Sequence, residues 1–177
     1  EGLRRSVARC AVSLAWIRFS ALPTIGEVFM AIIIRPIASA DREEWAVLYS
    51  GYADFYKVIQ TPEMRDRVWS WLTDGAHELQ GFVAVNEAGR LVGLAHYRPF
   101  SRPLSATVAG FLDDLFVSPA ARGQEVGKQL IAAIAEVGRE KNWSCIRWLT
   151  AEDNYRARSS YDKISTRTNF LTYDLKL

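Results

Sequence analysis

The stretch from Ala106 to Asn142 constrains the fold more than any other part of the chain. "ATVAGFLDDLFV" has the length and the β-branched and aromatic content of a long strand. "GKQLIAAIAEVGREKN" places Leu130, Ile131, Ile134 and Val137 on one face of a helix that ends near Asn142. A short glycine-containing loop joins the two. A strand and an amphipathic helix connected this tightly bury their apolar faces against each other, so the chain is committed to layers of sheet and helix.

The flanking segments extend that pattern. "IIIRPI" reads as a short strand, and "SADREEWAVLYSGYADFYK" as a helix capped by Ser39 or Asp41, with Trp45, Tyr49, Tyr52 and Tyr56 at helical spacing. "TPEMRDRVWSWLTDG" has Thr61 as cap, Pro62 in its first turn and a stop at Asp74-Gly75. "GFVAV", "NEAGR" and "LVGLAHYRPF" read as strand, turn and strand, which with the long strand makes an antiparallel meander. "SCIRWLT" is a further strand, "NYRARSSYDKI" a short helix and "NFLTYDLKL" an alternating final strand. The expected order is β, α, α, β, β, β, α, β, α, β: an α/β (α+β) domain with a central mixed, mostly antiparallel sheet and about four helices.

With 177 residues and 49% hydrophobic content, the chain suits one core, placed at residues 30–177. Residues 1–29 hold four arginines against two glutamates, so the segment carries +2 and the remainder is neutral. Leu3, Val7, Cys10, Leu14 and Ile17 lay an apolar stripe on an expected amphipathic helix, which docks either on its own domain or on a second subunit. A neutral body lacks the basic footprint of a nucleic-acid binder. Arg18 interrupts "CAVSLAWI" before it could span a membrane. Cys10 and Cys145 give neither a disulfide framework nor metal-ligand spacing, which fits a cytoplasmic setting and no metal. His77 and His96 lack metal-ligand partners at useful spacing and are expected on the surface or packed in a strand.

The loop "ARGQEVGKQL" leads into a helix N-terminus, whose unpaired N–H groups can donate to an anion such as a pyrophosphate, with Arg122 adding a charged donor. "LDDLFVSPAARGQEVGKQL" followed by "RWLTAEDNYRARSSYDK" resembles the GNAT superfamily of acetyl-CoA-dependent N-acetyltransferases, over a span from about Ile32 to the C-terminus. Within it, the acidic, aromatic strand is similar to that of the histone-acetyltransferase-like and polyamine-acetylating branches. The family's loop pattern places Arg122, Glu125 and Gly127 at its three defining positions, and Glu125 departs from the usual glycine. Asn154, Ala157 and Tyr161 match a second motif.

The resemblance implies an enzyme that moves an acetyl group from acetyl-CoA to a primary amine of a diamine-like small molecule or a protein lysine. It implies Tyr161 as general acid toward the departing thiolate and Asp113 as base. Asp113 and Asp114 are adjacent, so in a regular strand one alone faces the acceptor. Leu115, Phe116 and Val117 would pair with the pantetheine arm as an added strand. The loop residues Arg122, Gly123, Gln124, Glu125, Val126, Gly127 and Lys128 would hold phosphate, and Asn154 would bond the arm or cap its helix. Tyr49, Tyr52 and Tyr56 would line an acceptor pocket and embrace a cation. A homodimer is expected.

A carboxylate within ~4 Å of a pyrophosphate costs on the order of 1 to 4 kcal/mol, so Glu125 keeps a second reading open: a non-catalytic acyl-CoA-binding or interaction module with a degenerate loop. Glu125 is tolerated where its φ is negative and its carboxylate turns away, and strained where φ is positive. The expectation is a cofactor site that persists.

Overall fold

Alternation along the second strand decides how the layers form. In a computed structural model that describes residues 31–177, Phe82 and Ala84 face one side of the sheet while Val83 and Val85 face the other. Both sides are buried, so each must be covered by helix. The strands are β1 (Ile33–Pro36), β2 (Gln80–Val85), β3 (Leu91–Arg102), β4 (Thr107–Val117) and β5 (Ile146–Trp148). They lie in sequence order, antiparallel from β1 to β4, with β5 parallel to β4.

Helices α1 (Arg42–Tyr56) and α2 (Pro62–Thr73) cover one face, where Trp45, Leu48 and Tyr49 pack on Val83, Leu94 and Phe116. Helix α3 (Val126–Glu140) covers the other, where Leu130 and Ile134 are fully buried against Ala84, Ala95 and Leu112. Burial of a side chain of that size contributes roughly 1.5–3 kcal/mol. Helix α4 (Tyr155–Tyr161) follows β5. The expected mixed, mostly antiparallel sheet with four helices is the observed architecture.

Thr61 caps α2 as expected, its hydroxyl accepting from the Met64 N–H, and Pro62 opens the helix. Asp41 precedes α1 but its carboxylate is used elsewhere: it accepts both guanidinium bonds of Arg35, at 2.6 and 2.7 Å.

Two expectations require correction. Residues 169–177 form no strand, although they alternate. Phe170, Leu171, Tyr173, Leu175 and Leu177 stand exposed, because alternation supplies a face but no neighbour to bond with. The second concerns β4. His96 pairs with Asp114 and Tyr97 with Leu112, so Asp113 is an extra residue, a β-bulge. Leu112 therefore packs on the α3 side while Phe116 packs on the α1 side. The expected helix near residues 3–17 lies outside the described residues.

Candidate active site

The site begins where two strands part. β5 pairs with β4 at Gly110, Phe111 and Leu112 and no further, whereas β3 follows β4 as far as Val117. The side of β4 turned toward β5 is thus left, among the described residues, without a strand partner at Leu115, Phe116 and Val117, which line a cleft of about 390 Å³. That volume falls within the ~300–1,000 Å³ of small-molecule sites.

The far wall is the start of α3. The turn before it needs a left-handed residue at Gly123, with φ 91°, and a second at Glu125, with φ 58°. The second is the strained alternative for a residue that carries a Cβ, and costs roughly 1–2 kcal/mol. The Glu125 carboxylate pairs with the Lys128 ammonium one turn along, so its charge is partly neutralised at the cleft rim. Arg122, Gly123, Glu125, Val126, Gly127 and Lys128 all line the cleft. Gln124 does not: its Oε1 is buried without a donor among the described residues. Arg122 donates from Nε to the Val117 carbonyl at 3.2 Å, which holds its guanidinium over the rings of Phe55 and Phe116.

The remaining wall comes from α4. Asn154 lines the cleft and also caps the helix, accepting from the Ala157 N–H at 3.4 Å. Tyr161 lines it too, its ring set edge-on to Trp148 with centroids 5.3 Å apart. Burial, with a smaller contribution from Tyr56, pushes the Tyr161 phenol up to about 12, so it holds its proton at neutral pH. The sequence reading missed Arg156 and Lys163, two more cations on this cleft. Their signal was present in the basic "YRARSSYDK", but alternating charge on a short helix has no one-to-one reading.

A second cavity, of about 480 Å³, adjoins the first and shares Tyr52 and Tyr56 with it. Tyr49, Gln60, Asp113 and Asp114 also line it. Because of the bulge, both carboxylates reach this cavity, contrary to the expectation that one alone would. Asp113 receives the Arg98 Nε at 3.3 Å and its side chain is 27% exposed. Desolvation raises its pKa against the pull of Arg98, and the charge on Asp114 adds to the rise. Asp114 receives the Tyr49 hydroxyl at 3.1 Å and lies 2.9 Å from His96 Nδ1. The aromatic series on α1 divides: Trp45 is core, Tyr49 is buried but borders the second cavity, Tyr52 and Tyr56 are cavity wall, and Phe55 faces the first cleft.

The sequence pattern of the acetyltransferase (GNAT) family matches residues 45–165. The chain belongs to the GNAT family. It is an acetyl-CoA-dependent N-acetyltransferase. The D-amino-acid N-acetyltransferase HPA3 of Saccharomyces cerevisiae is 28% identical over 143 residues, which span 80% of this chain and 89% of that protein. Among solved structures, a ribosomal-protein-alanine N-acetyltransferase from Brucella melitensis biovar Abortus 2308 superposes with a TM-score of 0.71 at 24% identity, over 83% of this chain and 100% of that one. The aminoglycoside N-acetyltransferase AAC(6')-Iy, solved in complex with CoA, has a TM-score of 0.71 at 20% identity, over 83% and 95% of the two chains. At these identities the structural likeness is one of fold.

The GNAT cofactor fits the residues present. A Cβ placed on Gly127 would meet nothing closer than 3.9 Å, so the bare backbone opens onto cleft space. Arg122, Lys128, Arg156 and Lys163 set four cations around that space against Glu125, a balance suited to phosphates. The unpaired side of β4 offers backbone groups to an extended amide-bearing arm.

Proposed function

We propose that this acetyltransferase acts on a cationic primary amine, of a diamine-like small molecule or a protein lysine side chain, held in the second cavity. The observation that carries this reading is the composition of that cavity: Asp113, Asp114, Tyr49, Tyr52 and Tyr56, with no lysine or arginine among the described residues that line it. An acceptor bearing a carboxylate beside its amine would meet two anions there, whereas an ammonium gains charge-assisted bonds and aromatic faces. The buried Oε1 of Gln60, which lacks a donor among the described residues, adds a third acceptor atom to the same wall.

In this reading the cofactor supplies an activated acyl group as a thioester, and the protein supplies position and protons. Arg122, Gly123 and residues 125–128 would hold its phosphates, and Leu115, Phe116 and Val117 would align its arm. Asp113, with its raised pKa, would accept a proton from the ammonium directly or through water, the freed amine would bond to the thioester carbonyl carbon as the carbon–sulfur bond breaks, and Tyr161 would give its phenolic proton to the departing sulfur. The deciding experiment is calorimetric titration with acetyl-CoA followed by an amine screen, with Tyr161→Phe as control. Micromolar binding and turnover of diamines or lysine peptides, reduced about a hundredfold or more by Tyr161→Phe with binding retained, would support the reading. Turnover of amino acids in preference to diamines would overturn the acceptor class.

The left-handed Glu125 weakens the cofactor site without abolishing it in this reading; Glu125→Gly is expected to bind acetyl-CoA more tightly than the original chain in the same titration. The proposed setting is cytoplasmic, supported, among the described residues, by a Cys145 without a disulfide partner and by the lack of a helix long and apolar enough to cross a membrane. The proposed assembly is a homodimer, supported by the exposed apolar residues of 170–177; a monomer in sedimentation equilibrium would overturn it.

A further inference from the structure

The feature that the proposed chemistry leaves unused is a fully buried histidine. His96 and Trp45 are both 0% exposed, in a layer otherwise made of Leu94, Val83 and aromatic rings. A polar ring in such a place needs its bonds satisfied, and both nitrogens of His96 are engaged. Nε2 lies 2.9 Å from the Trp45 indole nitrogen, and Nδ1 lies 2.9 Å from Asp114 Oδ2.

The identity of the donors fixes where the proton sits. An indole N–H donates and cannot accept, so Nε2 must present its lone pair to Trp45. A neutral ring then carries its proton on Nδ1, which donates to Asp114. An imidazolium would set two N–H groups against each other across the Trp45 contact. Tyr49 donates a second bond to the same Oδ2, and burial first, then the charge on Asp114, raises its phenol far above the usual range, so it stays a donor. Both bonds fall on Oδ2, the Tyr52 hydroxyl also bears on the carboxylate, and Asp114 itself lines the second cavity.

We propose that Trp45, His96 and Asp114 form a tautomer-locked relay that holds Asp114 as the anchor for the acceptor's cationic amine. His96 is a positioning residue: it orients the carboxylate with a neutral donor and so leaves its full negative charge for the ligand. Trp45 in turn sets which nitrogen of His96 carries the proton. Tyr49 shares the load from α1, and the anchor stands beside Asp113 through the bulge at the same point of β4. This inference rests on the proposal that the acceptor occupies the second cavity.

Two measurements test it, one of them independent of turnover. The chain contains two histidines, so ring-nitrogen NMR of the full-length protein, with His77→Gln to assign the signals, reads the tautomer of His96 directly. The expected result is the Nδ1–H form. An Nε2–H form, or a doubly protonated ring at neutral pH, overturns the relay. The second measurement is steady-state kinetics with a diamine and with acetyl-CoA varied separately. Asp114→Asn is expected to raise the amine KM by about tenfold to a hundredfold, the loss of one charge-assisted contact, and to leave the acetyl-CoA KM unchanged.

His96→Asn, whose amide N–H can stand where Nδ1–H stood, is expected to keep a near-normal amine KM. His96→Leu is expected to lose it to the same degree as Asp114→Asn. Equal behaviour of the two His96 variants, or a change confined to kcat, overturns the positioning role. A correct tautomer in a chain that acetylates no amine would defeat the acetyl-transfer reading and the anchoring role with it. A wrong tautomer in an active enzyme would defeat the relay alone.

Discussion

Gly127 brings two opposed demands to one position. It sits in the first turn of α3, where glycine costs up to about 1 kcal/mol relative to alanine, yet its missing side chain leaves room that the cleft uses. Gly127→Ala should therefore unfold at slightly higher denaturant while binding acetyl-CoA at least several-fold more weakly. A paired measurement by urea titration and calorimetry checks this, and a variant improved or impaired in both would show that the backbone does not approach the ligand. Asp113 makes the second prediction at this scale. Its pKa is raised, so the base is lost as pH falls through a value above the ordinary aspartate range of about 3.9. The acidic limb of the kcat/KM profile should lie above that range, and Asp113→Asn should abolish this limb along with most of the activity. The same shift has a sign for stability: the folded chain holds this proton more tightly than the unfolded one, so the contribution of Asp113 to stability declines as pH rises through that window.

At the level of elements, β4 is pinned from below as well as opened at its end. A Cβ on Gly110 would stand 2.4 Å from the Trp143 ring and 2.8 Å from Ile146, both held under the strand by the turn after α3. Gly110→Ala should destabilise the fold by about 1–3 kcal/mol, seen as a lower urea midpoint with an unchanged slope. Trp143→Leu, which clears that space, should recover part of the loss. Most of these elements could be placed from residue pattern alone: the face of α3, the Thr61-Pro62 start of α2 and the meander are local signals. Of the residues that line the cleft, Arg122, Gly123, Glu125 to Lys128, Asn154 and Tyr161 stand in motifs contiguous in sequence, whereas Gln124 of the same stretch is not among them. The bulge at Asp113 was not legible, since two adjacent acids in a strand look like ordinary alternation until the partner register is known. His96 was invisible for the same reason: its partners lie 51 and 18 positions away, and a one-residue slip of β4 decides whether it meets Asp114. Residues 169–177 were misread because a strand is a relation between two segments, and they pair with no other segment among the described residues.

On the scale of the whole molecule, the sheet is complete on one flank of β4 and interrupted on the other. The gap beyond Leu112, open to a ligand, is also a row of backbone donors and acceptors inside the body of the protein. Unpaired strand edges are what chains use to associate with one another wrongly. A molecule that fills the gap acts as a shield in addition to any chemistry it brings. CoA lacking an acyl group should therefore slow the clouding of a warmed solution, beyond the rise in midpoint that mass action gives to any ligand of the native state. Light scattering at matched fractions unfolded separates the two effects, and equal clouding rates with and without CoA would show that the edge is inert. The lifetime of this enzyme in a cell would then follow its supply of CoA, so that a starved cell loses the catalyst together with the substrate.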